Sequence, residues 1–139
     1  MITDTLLALH LIGLMFGAAG GIASGLVMRQ AAAAAPEQAM TLRSLGPRFS
    51  QMSIIGLVLM WVTGGVLVTQ RGGFEALPQL FWLKLIFVVS LTIAAVTIHL
   101  SYAQIKRGNA AAAARLPVLG PIAGMSAFLA VIVAVFTFH

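Results

Sequence analysis

The chain has 139 residues, of which 60% are hydrophobic and 8% charged, with a formal net charge of +5. A soluble domain carries about 25% charged residues, so this composition, with its mean hydropathy of +1.05, excludes an ordinary water-soluble globule. The absence of cysteine excludes disulfides, thiolate metal sites and thiol redox chemistry.

Nearly all the charge lies outside four apolar stretches, Thr5–Met28, Ser50–Thr69, Gln79–Leu100 and Pro117–Phe138. Each reaches the roughly 20 residues a helix needs to cross a hydrocarbon layer of about 30 Å. Lys84 is the one formally charged side chain inside them. The expected fold is all-α, a transmembrane antiparallel four-helix bundle, with residues 1–139 forming one integral membrane domain.

The first stretch carries Gly13, Gly17, Gly21 and Gly25 at an unbroken four-residue spacing, widened by Gly20 and Ser24. Membrane helices associate by close packing, and small residues let two backbones approach. The partner of this face is another helix of the chain or a second copy, which would make a homodimer through the first span. His10 falls within about 20° of Gly17 and Gly21 on a helical wheel and shares their face. Asp4 and the lack of a basic start favour an uncleaved first span with its N-terminus outside.

The first connection, Arg29–Phe49, holds Ala31–Ala35 and then Pro36. Pro36 suits the first turn of a helix and Gly46-Pro47 its end. Met40, Leu42 and Leu45 share one side, so the segment reads either as a short separate helix on the headgroups or as a polar linker. The second span adds Gly56, Met60 and Gly64, and the turn Gln70–Pro78 is rich in Gly and Pro. The third span opens with Phe81 and Trp82 at the level of an interfacial aromatic belt. Lys84 follows, with a stem that either snorkels to the headgroups or turns inward. His99 closes that span beside Ser101 and Tyr102. After a second alanine run, Ala110–Ala114, the fourth span carries Gly120 and Gly124.

Short basic loops stay in the cytoplasm. Arg29, Arg43, Arg48, Lys106, Arg107 and Arg115 fall in the first and third connections, against Arg71 and Lys84 on the other side. Both termini are therefore expected outside. Because the basic residues flank spans, orientation and anionic lipid headgroups account for them, and no nucleic-acid partner is expected.

Ligand chemistry rests on few residues. A histidine inside a membrane helix usually faces the bundle interior, which makes His10 the leading ligand or proton-handling candidate. Its alternative is a neutral imidazole bonded to a backbone carbonyl. Lys84 is expected at a similar depth, and an imidazole beside an ammonium suits a haem or porphyrin carboxylate, or a quinone headgroup. His99 is expected near the opposite membrane face, so the two cannot clamp one haem within a protomer. His139 is terminal and assigned no role. Met15, Met52, Met60 and Met125 are either copper(I) ligands or apolar filler.

Three segments carry a resemblance. Leu9-His10-Leu11-Ile12-Gly13 with Gly20-Gly21, Gly56–Gly65 with its Thr63-Gly64 ending, and Trp82-Leu83-Lys84-Leu85 resemble the first three spans of the CopD and HemJ group of small membrane proteins. The resemblance implies a helical bundle in a bacterial inner membrane. HemJ members are protoporphyrinogen oxidases that bind haem b, and CopD members are linked to copper uptake. On that likeness His10 maps to the first-span histidine, the expected haem iron ligand, and Lys84 to the third-span lysine. The third-span histidine of HemJ lies deeper than His99, which brings the chain nearer to CopD-like members. The functional expectation is a haem-b-binding membrane protein with a redox role. The competing expectation is a non-enzymatic assembly or small transport component, copper-related or not, acting as a homo-oligomer.

Overall fold

A computed structural model describes residues 1–138, and His139 lies outside the described residues. Four α-helices account for most of the chain: α1 (Ile2–Ala33), α2 (Pro36–Gln70), α3 (Gln79–Lys106) and α4 (Leu116–Phe138). Each of the four apolar segments is long and apolar enough to cross a membrane, with mean hydropathy of 2.0 to 2.3 over its best window. The chain is a multi-pass membrane protein.

The α1–α2 connection is two residues, and local chemistry explains it. Ala35 precedes Pro36 and is extended (φ −61°, ψ 153°), because the proline ring disfavours the helical region for the residue before it. Pro36 then opens α2 at its first turn, where its missing N–H costs nothing.

The Gly46-Pro47 pair does not end a separate short helix, contrary to the sequence expectation. α2 runs through it as one helix, with Pro47 inside and exposed. A proline there removes one backbone donor, a defect that neighbouring helices can offset in a membrane protein. Gly46 is a packing residue: a Cβ at this position would collide with the Tyr102 ring of α3. Tertiary contact thus holds the helix through a sequence that locally reads as a stop.

α2 and α3 end in the same way. Gly73 N–H donates to Val68 O at 3.0 Å and Gly72 N–H to Thr69 O at 3.3 Å. Asn109 N–H to Gln104 O and Gly108 N–H to Ile105 O, both at 3.0 Å, repeat the pattern. These are Schellman closures. They require the left-handed conformation that Gly72 (φ +91°) and Gly108 (φ +96°) adopt without a Cβ penalty. Short 3-10 turns, Phe74–Ala76 and Ala110–Arg115, complete the two connections.

The helices stand in cyclic order, each packed on its chain neighbours and α4 closing against α1. Neighbours run in opposite directions: Gly13 meets Met60 while Gly20 meets Ser53, and Gly21 meets Ala123 while Gly25 meets Gly120. Leu57, Met60, Val88, Leu91, Ala123 and Ala127 lie in the main core cluster. A second cluster gathers Met28, Ile98, Tyr102 and Leu116 towards the other end. Large apolar side chains also cover the outside, with Met15, Ile55, Phe128 and Phe136 each more than 60% exposed. In water that surface would be a liability; against lipid tails it is solvated.

The glycine series of α1 is consumed inside the chain. A Cβ on Gly13 would stand 2.7 Å from Gly56 O, one on Gly20 2.5 Å from Phe49 O, and one on Gly25 3.0 Å from Gly120 Cα. The face therefore serves α2 along one edge and α4 along the other. A homodimer through the first span would have to use the opposite face of α1, where Leu11, Met15 and Leu26 are exposed.

Candidate functional site

The side between α2 and α3 is the least closely packed of the four. Behind it, at the end where the Gly72-Gly73 turn joins these helices, lies a cleft of about 420 Å³. That volume falls within the roughly 300–1,000 Å³ of typical small-molecule sites. Its walls are apolar, drawn from Leu7 of α1, Met60, Trp61 and Val68 of α2, and Phe81, Leu85, Val88 and Val89 of α3. Three side chains bring polarity: His10, Lys84 and Arg71. The fold thus brings the sequence-derived pair, His10 and Lys84, to one space.

His10 is half-buried, and its Nδ1 lies 2.9 Å from Met60 O and 3.2 Å from Thr63 Oγ1. A carbonyl can only accept, so Nδ1 carries the proton. Thr63 sends its own proton to Leu59 O at 2.7 Å, which leaves its oxygen able to accept from the imidazole as well. In the neutral ring Nε2 then holds the lone pair. In histidine metal ligands a bond of this kind, from the other ring nitrogen to a carbonyl, fixes tautomer and ring orientation. A carbonyl bond was also the non-ligand alternative for His10. It is compatible with both readings, since it engages only one of the two nitrogens.

Gly64 makes room for the ring. A Cβ there would lie 3.0 Å from His10 Cε1, tighter than ordinary contact. The neighbouring Gly65 faces open space, with nothing within 4 Å of its would-be Cβ. Gly64, which in the sequence reads as a helix-packing glycine, and its neighbour Gly65 therefore border the cleft.

Lys84 is half-buried and faces the cleft from α3. Arg71, the residue just past the end of α2, is exposed and reaches the same space. Sequence reasoning counted Arg71 only as a topological charge. The signal that could have found it is its position at the close of the helix carrying Gly64-Gly65, on the same side of the membrane as Lys84.

His99 belongs elsewhere. Its Nδ1 sits 3.2 Å from Ser50 Oγ, ten residues or about 15 Å along α2 from Met60. Of the candidate methionines only Met60 lines the cleft, while Met15 and Met125 are exposed on the outside at 70% and 61%. Among the described residues no three His, Asp or Glu side chains gather. One imidazole is a poor anchor for a bare metal ion. It is a sufficient protein ligand for iron that brings its own four equatorial nitrogens, as in haem.

No family model, no curated protein and no solved structure matches this chain.

Proposed function

We propose that the protein binds haem b in the cleft between α2 and α3, as a redox component of a bacterial inner membrane. The observation that carries this reading is the His10 imidazole, tethered through Nδ1 to Met60 O in an apolar cleft that Lys84 and Arg71 also line. Haem needs three things from a membrane site: an axial nitrogen, apolar walls for the macrocycle, and cations for two propionates. The cleft supplies each. Bound haem supplies one-electron chemistry at its iron. The chain's own residues orient the imidazole and line the space with apolar walls, and Lys84 and Arg71 would hold the carboxylates.

The alternative, a non-enzymatic assembly or transport subunit acting as a homo-oligomer, rests on the glycine series and on the scarcity of polar residues. That series is occupied within the chain, so the haem reading leads.

The six basic side chains Arg29, Arg43, Arg48, Lys106, Arg107 and Arg115 are all exposed and belong to the end of the bundle away from the cleft. By the positive-inside rule that end faces the cytoplasm and the cleft opens near the outer leaflet, with both termini outside.

The test is a haem b titration of the purified protein in vesicles, followed by the Soret band. Wild-type protein saturates at one haem per chain. His10→Ala loses the ligated spectrum. Lys84→Gln and Arg71→Gln keep the spectrum and each bind about tenfold or more weakly, the size of one hydrogen bond to a charged group. A titration with no saturable band, or one unaffected by His10→Ala, overturns the reading.

A further inference from the structure

The cleft has a thin outer wall. Val89 lines it from α3, yet it shares a helical stripe with Ile86 and Ile93, both 62% exposed on the outside of the bundle. Trp61 lines it from α2 and shares a stripe with Val58, three residues earlier and 58% exposed. These two side chains, each 41% exposed themselves, separate the cleft from the surroundings of the bundle. Across the gap the Trp61 indole N–H donates to Thr92 Oγ1 at 3.0 Å, at an exposed position. Thr92 in turn donates to Val88 O at 2.8 Å, which fixes its oxygen as the acceptor. The water-side end is covered differently, by the connecting turn. There Phe74 stacks on Trp82 and Phe81 meets the same indole edge-on, with centroids 6.0 Å apart in both cases.

We infer that the cleft is loaded sideways from the hydrocarbon layer, between α2 and α3, and that the Trp61–Thr92 hydrogen bond is the bar across this entrance. The guest is a molecule whose large apolar body partitions into the bilayer, and its arrival involves no passage through water. Breaking the bond frees the indole to swing while leaving both helices continuous. This inference rests on the reading of the cleft as a binding site, but it concerns the route and not the ligand.

The chain has no cysteine, so Leu85→Cys places a sole thiol in the cleft wall. The protein in phospholipid vesicles is treated with a bilayer-dissolved pyrenyl maleimide, or with a charged, membrane-impermeant methanethiosulfonate added to the water. The maleimide is expected to label the introduced thiol faster than the charged reagent does. Thr92→Val and Trp61→Phe, each in the Leu85→Cys background, raise the maleimide rate about three- to tenfold, the range of one net hydrogen bond. The two together raise it no further than either alone, because both break the same contact. Labelling by the charged reagent stays unchanged. The inference is overturned by a maleimide rate that neither substitution alters, by additive effects, or by labelling only from water. If one variant loses the wild-type helical circular dichroism, the other carries the test. The haem titration reads separately: failed titration with gated labelling removes haem as guest and leaves the entrance standing, while saturable haem with ungated labelling does the reverse.

Discussion

At the scale of single residues, the site depends on one imidazole held in one orientation. Met60 O and Thr63 Oγ1 both face Nδ1, and Gly64 stands against the ring at Cε1. Gly64→Ala would put a methyl group 3.0 Å from Cε1, so the ring must rotate or its bond to Met60 must lengthen. We expect this substitution to weaken haem binding about two- to tenfold and to shift the Soret maximum. Gly65→Ala meets nothing within 4 Å and is expected to leave both unchanged. His10 and Lys84 were legible in the sequence because a titratable group in an apolar span is costly and seldom incidental. Gly64 and Arg71 were not. A glycine in a membrane helix reads as a packing residue, and an arginine in a loop reads as an orientation signal, until the fold brings them to a common space.

At the scale of helices, close approach governs stability, and it differs along a single stripe. Gly20 faces Phe49 O and Ser53 N at 2.5 and 2.7 Å from a would-be Cβ, both backbone atoms that cannot rotate away. Gly17, one turn earlier, would meet Leu57 Cγ at an ordinary 3.6 Å. Gly20→Ala is therefore expected to destabilise the bundle by about 1–3 kcal/mol, the cost of overpacking. Gly17→Ala is expected to be neutral or to gain up to about 1 kcal/mol from helix propensity. Unfolding in mixed micelles measures both; equal effects at the two positions would show that spacing alone, without the partner's backbone, sets the cost. Polar contacts add to this packing. Ser53 Oγ donates to Gly17 O at 2.6 Å, Ser24 and Tyr102 share a hydrogen bond of 2.6 Å, and Ser90 meets Ser126 at 3.0 Å. Such bonds average about 0.6 kcal/mol in membrane proteins, so they set register more than total stability. The four-residue glycine spacing announced a packing face, but not its partner. α2 and α4 share it, a fact carried by the fit of Gly56 and Gly120 and not by any period in the sequence. The continuity of α2 through Gly46-Pro47 was illegible for a related reason: a local stop signal lost to the contact between Gly46 and Tyr102.

At the scale of the whole molecule, membrane class and helix number were legible because hydropathy is additive along the chain and needs no knowledge of neighbours. The cleft was not, since it arises from the looser fit of one helix pair among four. The proposed orientation rests on charge: Arg43, Arg107 and Arg115 stand at the end away from the cleft, and Arg71 at the cleft end. Ala111→Cys and Glu75→Cys, each the sole thiol of its chain, are expected to react with an impermeant maleimide from the cytoplasmic side and the outer side respectively. Reaction of Ala111→Cys in intact cells would invert the orientation and move the cleft to the cytoplasmic leaflet.

The central claim is that His10 ligates haem b in the α2–α3 cleft. The visible spectrum of protein purified from haem-supplemented cells, taken beside His10→Ala of matched helical content, tests it most directly. A Soret band of one haem per chain that disappears in the variant is the expected result. A colourless wild-type protein, or a band of equal intensity and position in His10→Ala, would contradict it.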